Sequence, residues 1–468
     1  MNRLFLTLVA LSLVALLHAQ KFAGGIDHTL AVCSDGTVMA WGENIYGQLG
    51  YDSAPATYVT LPATVPGLAN VVAVNAGNRF SMALRGDGTV WSWGSNYEGE
   101  LGNGTVGGST FIPGQVNGLS GITAITGDCT AHALALKNDG TVWSWGRNYE
   151  GELGNGGGAS TNVPVQAGTP TGIIAIAGGN YHSMALRNDG TVYTWGDNQY
   201  GQLGDGTNLP SGLPTAVLGL SGIVAIAAGG YHSLALKNDG TVYGWGYRSY
   251  GQLGDAVDSL VLYTPSPVMV MDLTGVAAIS AGGFYSMALK TDGTVWTWGS
   301  NSHGELGNGS PVGVYKSFIP VQVNDLSGVL SIAAGFQHGL AMTTDGILHA
   351  WGNDLSGSLG DGNYGVDSNV PVLPSGLCEL NATAVNEHPP AATPRFFPSP
   401  TAGVVHVEGI SKAEFSSIRI HDVLGREVTS ASLDSAQSVV DLSALPSGVY
   451  LITVGAAGST VSTRVIKE

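Results

Sequence analysis

AAGGYHSLALKNDGTVYGWGYRSYGQLG, residues 227–254, is the stretch from which the architecture is read. It opens on a short apolar run that ends in Ala-Gly-Gly. An alternating segment follows, His232-Ser233-Leu234-Ala235-Leu236, in which successive side chains face opposite ways, as on a half-buried strand. Asn238-Asp239-Gly240 is a tight-hairpin signal, and its Asp-Gly pair predicts the positive φ values of a primed turn. A second β-rich run, Thr241-Val242-Tyr243-Gly244-Trp245, comes next. The window shows no helical periodicity, and it predicts short antiparallel strands.

The same design recurs along the chain. Trp-Gly stands at Trp41, Trp93, Trp145, Trp195, Trp245, Trp298 and Trp351. Asp-Gly begins six residues before each Trp, and Gly-x-Leu-Gly begins six residues after it. A variable loop and a Pro-Val-like segment, such as Val163-Pro164-Val165, complete each copy. Repeats of about 50 residues with three or four strands predict a β-propeller, here with seven blades. An open solenoid is the alternative, and the lack of polar capping repeats favours a closed ring. Composition agrees: 71 of 468 residues are Gly and 11% are charged, which disfavours long helices and, without a three-residue Gly period, collagen. Gly-rich inner strands allow backbones to crowd at the axis, and each Trp is expected to fill the wedge between diverging sheets. Lys21–Gly25 and Val370–Leu377 are the candidates for completing the closing blade.

Residues 20–378 resemble the regulator-of-chromosome-condensation (RCC1-like) repeat family through this motif set. The resemblance implies a seven-bladed propeller that binds proteins. The eukaryotic founder of the family is a nucleotide-exchange factor for a nuclear small GTPase, and no insertion resembling an exchange wedge is visible here. Secreted bacterial members, including a propeller-type β-lactamase inhibitor, use the scaffold for binding alone.

The two ends read differently from the middle. Residues 1–19 combine Arg3, an apolar run from Leu4 to Leu17 and a small residue, Ala19, before Gln20, as a signal peptide does. The mature chain is expected to be exported and not to span a membrane. Residues 379–394 are Ala- and Pro-rich and read as a linker. Residues 395–468 carry β-rich segments between turn signals and predict a small C-terminal β-sandwich. This tail resembles the type A sorting domain of the type IX secretion system. Its matching pieces are Phe397-Pro398-Ser399-Pro400, Ile420–Arg426, Asp441–Tyr450 and Val465–Glu468, with Ser399 where the family usually has Asn. The resemblance implies sorting roles for Pro398, Pro400, Gly425, Arg426, Gly448 and Tyr450. It also implies a Bacteroidota-type cell, contact with the secretion machinery and delivery to the cell surface or medium.

Charge narrows the partners. The chain carries 17 basic and 34 acidic residues, a net of −17, and residues 20–378 hold 10 and 25 of them. Nucleic acid is therefore a poor partner. The three cysteines, Cys33, Cys129 and Cys378, fit neither a disulfide framework nor a zinc site; one pair could bridge, and its members are left open. Five histidines, His28, His132, His182, His232 and His338, recur at one repeat position, where Phe80 and Tyr285 stand in the other two copies. Those departures favour a packing role over metal binding. The Asp-Gly aspartates are explained by their turns. Asp361–Asp367 offers oxygen donors but lacks the closing Glu of an EF-hand loop. No catalytic residue, metal ligand or cofactor is assigned, and no nucleophile-elbow, zincin or Walker motif occurs.

Variable residues beside the Ala-Gly-Gly turn should line one end of the ring. Arg79, Tyr181, Tyr231, Phe284 and Phe336 are the candidate partner-binding residues, because aromatic and Arg side chains dominate binding hot spots. In the third copy a bulge at Gly127-Asp128-Cys129 is expected to re-aim this loop. The function expected is an exported protein-binding or glycan-binding propeller with no catalysis of its own. The alternative is a secreted lyase or glycosidase on the same scaffold, which would need convergent acid and base groups in the axial cleft.

Overall fold

The computed structural model describes residues 20–380, apart from residues 54–55, 128–129, 259 and 312–313. In the tail it describes seven strands together with residues 426, 442–443 and 445–447. The signal peptide, nearly all of the linker, and the bulge expected at residues 128–129 lie outside the described residues. The chain divides between Val385 and Asn386 into two compact units.

The first unit is a seven-bladed propeller of four-stranded antiparallel sheets. The fifth blade is typical, with strands Ile223–Ala228, His232–Lys237, Val242–Tyr247 and Tyr263–Met269 running from the axis outward. The innermost strands of all seven blades line one axial cavity of about 580 Å³. Every regular element among the described residues is a strand.

Local chemistry explains the invariant residues. In the second hairpin Gly240 N–H donates to Lys237 O (2.9 Å) and Lys237 N–H donates to Thr241 O (2.9 Å). Gly240 has φ +82°, while Asn238 and Asp239 stay in the ordinary region. This is a three-residue loop ending in a left-handed Gly rather than the primed turn expected from Asp-Gly. Asp239 Oδ1 closes it by accepting from Thr241 N–H (3.1 Å) and Oγ1–H (2.6 Å). The Gly after the Trp is fixed for a different reason. Gly246 has φ +101°, and a Cβ there would lie 2.6 Å from Tyr231 O. Gly229, nearer the axis, faces the next blade, where a Cβ would lie 2.6 Å from Gly282 O. The outermost strands carry a proline, such as Pro164 and Pro320, which removes a donor from an exposed edge and blocks strand addition.

Blades are joined by a repeated staple. The backbone carbonyl of the residue before Leu in Gly-x-Leu-Gly accepts from the indole of the next blade's Trp. Trp245 Nε1–H donates to Gln202 O (2.9 Å) and Trp298 Nε1–H to Gln252 O (2.9 Å). The Trp of each of the seven Trp-Gly pairs is fully buried. Trp245 packs with Met184, Leu186, Val192 and Ile223, so it fills the interface toward the preceding blade.

Closure exchanges no strand. The first blade uses Phe22–Gly24 as its innermost strand and the seventh uses Ser368–Val372 as its outermost, so both are built from consecutive strands. Trp41 Nε1–H donates to Ser358 O (2.8 Å), repeating the staple across the seam. The chain then returns to the first blade. Leu377, Cys378 and Leu380 pack with Phe22 and Met39, Ser34 N–H donates to Glu379 O (2.8 Å), and Cys33 is disulfide-bonded to Cys378. Both candidate segments therefore act at the seam, one as a strand and the other as a clasp. The pairing left open by the sequence is Cys33–Cys378.

The second unit contains a three-stranded and a four-stranded antiparallel sheet. Ile420, Leu442 and Tyr450 are buried in it, and Tyr450 Oη–H donates to Pro446 O (2.8 Å).

Candidate binding rim

Antiparallel order decides which loops share a rim. The connections between first and second strands, and between third and fourth, emerge at one rim. The Asp-Gly hairpins and the links between blades emerge at the other. The first rim carries the copy-to-copy variation, alongside the repeated Gly-x-Leu-Gly segments, and the second holds the repeated Asp-Gly hairpins.

On the variable rim the aromatic side chains of blades four to seven form one run. Ring centroids are 5.8 Å apart for Tyr181–Tyr231, 5.8 Å for Tyr231–Phe284 and 6.0 Å for Phe284–Phe336. All four are half-buried. Tyr200, Tyr247 and Tyr250 extend the run: Tyr200–Tyr247 is 4.8 Å, Tyr200–Tyr231 is 5.5 Å and Tyr250–Phe284 is 5.1 Å. These three stand two or five residues after a Trp and were not among the expected site residues. The signal for them was present, because those positions vary from copy to copy ahead of an invariant Gly. Arg147 lies over Tyr181 (4.6 Å) and Tyr149 (4.9 Å) at the edge of the run.

Arg79 belongs to a second group on the same rim. Its guanidinium lies 4.5 Å over Tyr46, and no ring or ion contact joins it to the run among the described residues. Burial raises Asp27 above the usual carboxylate range, partly offset by Arg79 and His303. Glu43 is raised by burial and by the neighbouring Asp27 charge. Burial and the adjacent Tyr181 raise Tyr231. The rim is thus aromatic on one side and acidic on the other.

The ring of histidines does structural work. Nε2 of His28, His132, His182 and His232 lies 2.8–2.9 Å from Oγ of Ser81, Ser183, Ser233 and Ser286 of the next blade. His338 Nε2 meets Thr29 Oγ1 at 3.0 Å across the seam. Each hydroxyl donates its one proton to the staple carbonyl, as Ser81 does to Gln48 O (2.7 Å), so Nε2–H is the donor to the hydroxyl oxygen. Burial lowers His28, His182 and His232 to about 3 and His338 to about 4, which keeps the rings neutral. The two departures now have a cause. Phe80 is followed in the next blade by Ala133, and Tyr285 by Gly339, so the hydroxyl disappears wherever the imidazole does. Tyr285 Oη–H donates instead to His338 O (2.5 Å).

The axial cavity offers little acid–base chemistry. Its walls are main chain with Ala, Ile and Gly, and Lys21 is the one charged residue among the described lining residues.

Comparison with known proteins is decisive on the family. The RCC1-like domain pattern matches residues 62–388, and single RCC1 repeats match residues 35–84 and 20–48. The chain belongs to the RCC1-like family. Among curated relatives of this family, the ultraviolet-B receptor UVR8 of Arabidopsis thaliana is 33% identical over 75% of this chain and 80% of its own. The E3 ubiquitin-protein ligase HERC2 of Homo sapiens is 32% identical over 77% of this chain but 6% of its own length. The chain therefore spans a small fraction of the HERC2 relatives it matches. Two solved structures share the fold at 23% identity. Human WBSCR16 has a TM-score of 0.64 over 72% of this chain and 94% of its own. Prp20p of Saccharomyces cerevisiae has a TM-score of 0.64 over 81% and 88%.

The tail matches a secretion system C-terminal sorting domain over residues 395–468. That match implies export through type IX secretion to the cell surface or medium. Of the residues carried over to it, Tyr450 is buried, Arg426 is exposed and Gly448 opens a strand. Pro398, Pro400 and Gly425 lie outside the described residues.

Proposed function

We propose that the chain is an exported binding propeller whose variable rim engages a protein through the aromatic run of blades four to seven, with no catalysis of its own. The single observation that carries this reading is the continuity of Tyr181, Tyr231, Phe284 and Phe336 across four blades. Large, partly desolvated aromatic surfaces supply most of the energy at protein interfaces. Several rings here meet edge to face or at a tilt, so they offer edges and hydroxyls, a better match to protein side chains than to the flat face of a sugar ring. A glycosidase reading finds no paired carboxylates in the described lining of the axial cavity. The secretion machinery is the proposed partner of the tail.

The test uses the full exported chain. Replacing Tyr181, Tyr231 and Phe284 together with Ala should weaken a partner captured from the medium by about 100-fold or more and leave the melting temperature nearly unchanged. Unaltered affinity would remove the rim assignment. Turnover of any glycan by the purified chain would overturn the absence of catalysis.

A further inference from the structure

The third residue after each Trp organises the loop between the outer two strands. It is Asn in five blades: Asn44, Asn96, Asn148, Asn198 and Asn301. In each, Oδ1 accepts from the Leu N–H of Gly-x-Leu-Gly, as in Leu203 N–H to Asn198 Oδ1 (2.9 Å). Nδ2 then donates into a nest of oxygen acceptors. Asn148 Nδ2 reaches Gly157 O and Ala159 O (both 3.1 Å). Asn198 Nδ2 reaches Thr207 O (3.1 Å), Leu209 O (3.0 Å) and Asp205 Oδ1 (3.3 Å). In the fifth blade the residue is Arg248, whose guanidinium pairs with Asp255. In six blades, therefore, an N–H donor fills a pocket built from oxygens.

The seventh blade breaks the rule. Asp354 stands there, and its Oδ1 keeps the usual bond from Leu359 N–H (2.9 Å). Its Oδ2 takes the amide's position with no hydrogen-bond partner, on a side chain that is 0% exposed. Asp361 stands seven residues on, where Asp205 and Asp255 stand in their blades. Asn363 and Gly365 hold the positions whose carbonyls receive the Asn148 amide. Gly365 N–H bonds to Asp354 O (2.8 Å), as Gly107 N–H bonds to Asn96 O (2.6 Å) in the second blade. Asp361 Oδ1 accepts from Asn363 N–H (2.8 Å) and its Oδ2 from Asn363 Nδ2–H (3.0 Å), as Asp205 Oδ1 accepts from Thr207 while still receiving the Asn198 amide. Asp367 also faces the group. Its Oδ1 accepts from Asp354 N–H (3.0 Å), and its Oδ2 lies 2.7 Å from His303 Nδ1. A buried carboxylate oxygen among acceptors requires a hydrogen-bond donor or a cation as its occupant.

We propose that this loop binds a calcium ion, which takes the space of the missing amide. Asp354 Oδ2 and the Asp361 carboxylate are its charged ligands, and the Asn363 and Gly365 carbonyls are its neutral ones. The ligand chemistry is that of a hard divalent cation, with oxygens at alternate positions along Asp361-Gly362-Asn363-Tyr364-Gly365. No three His, Cys, Asp or Glu side chains converge at metal-binding spacing among the described residues, and a site of two carboxylates with loop carbonyls needs no third. The rival occupant is a proton, because burial and the Asp361 and Asp367 charges raise Asp354 to about 7.

Calcium against chelator, read by thermal melting of the full chain at pH 8, separates the two. Saturating calcium should raise Tm by about 5 °C, and terbium should show luminescence sensitised by the exposed Tyr364. Asp354→Asn restores the amide of the other blades, so it should fold stably and lose the calcium shift. Asp361→Asn should lose the shift as well, and it decides the matter if the first variant fails to fold. Identical wild-type melting in calcium and chelator, with Tm rising as pH falls through 7, would assign the site to a proton and overturn the proposal. A calcium shift retained in both variants would overturn it too.

Discussion

The two rims of the propeller are made by the same strands and obey opposite rules. At the hairpin rim the copies are nearly superimposable in chemistry: Asp35, Asp87, Asp139, Asp189, Asp239 and Asp292 each accept from the Thr two residues on. At the other rim equivalent positions hold Asp27, Arg79, Ala131, Tyr181, Tyr231, Phe284 and Gln337. The first rim repeats because each turn must satisfy one backbone geometry. The second is free to differ because the staple below it already fixes the blades. Repetition marks the scaffold, and departures from it mark where to look for function.

The largest effect should come from the staple itself. Trp245→Ala removes a buried indole from a blade interface and should cost about 3–5 kcal/mol in chemical denaturation, while Tyr231→Ala on the variable rim should cost well under half of that. Equal losses would erase the distinction between scaffold and rim. Next comes the seam. Cys33→Ser opens a 345-residue covalent loop and should destabilise by about 2–5 kcal/mol, with a matching drop in Tm when the wild-type chain is reduced. No change on reduction would mean that the non-covalent seam suffices.

A smaller effect should appear in the pH profile. His28, His182, His232 and His338 bind protons more weakly folded than unfolded, so their contribution is fully present above the ordinary value of 6.5. It is lost as pH falls from there toward the folded values near 3. His232→Phe with Ser286→Ala copies the natural Phe80–Ala133 pair and should flatten the fall between pH 6.5 and 4 without unfolding the chain. An unchanged slope would mean that His232 is not neutral in the fold. The smallest effect belongs to the exposed hairpins, where Asp239→Ala should move Tm by no more than about 2 °C.

The architecture was readable because its determinants are local and repeated. Trp-Gly, Asp-Gly and Gly-x-Leu-Gly each fix a turn or a buried contact, and seven copies leave no doubt of the period. The histidine pairing was also written in the sequence, since Phe80 with Ala133 and Tyr285 with Gly339 vary together. Reading it required knowing that a residue meets the following copy one position past its own equivalent. The Cys33–Cys378 bond was hidden because three thiols allow three pairings and the seam joins chain ends 345 residues apart. The primed turn expected from Asp-Gly does not form, because Asp-Gly serves either hairpin type and the loop length, with Lys237 paired to Thr241, decides between them. Tyr181, Tyr231, Phe284 and Phe336 came together as one run, while Arg79 did not join it. Which blades neighbour one another follows from the ring, but how far a side chain reaches along a rim does not follow from spacing.

The most direct measurement compares the two rims as binding surfaces in one experiment. The wild-type chain, a variable-rim triple variant (Tyr181→Ala, Tyr231→Ala, Phe284→Ala) and a hairpin-rim triple variant (Asp139→Ala, Asp189→Ala, Asp239→Ala) would be titrated with the captured partner by calorimetry. The expected result is binding by the wild type and the hairpin-rim variant, and a loss of about 100-fold or more in the variable-rim variant. Binding that survives in the variable-rim variant and fails in the hairpin-rim variant would contradict the assignment.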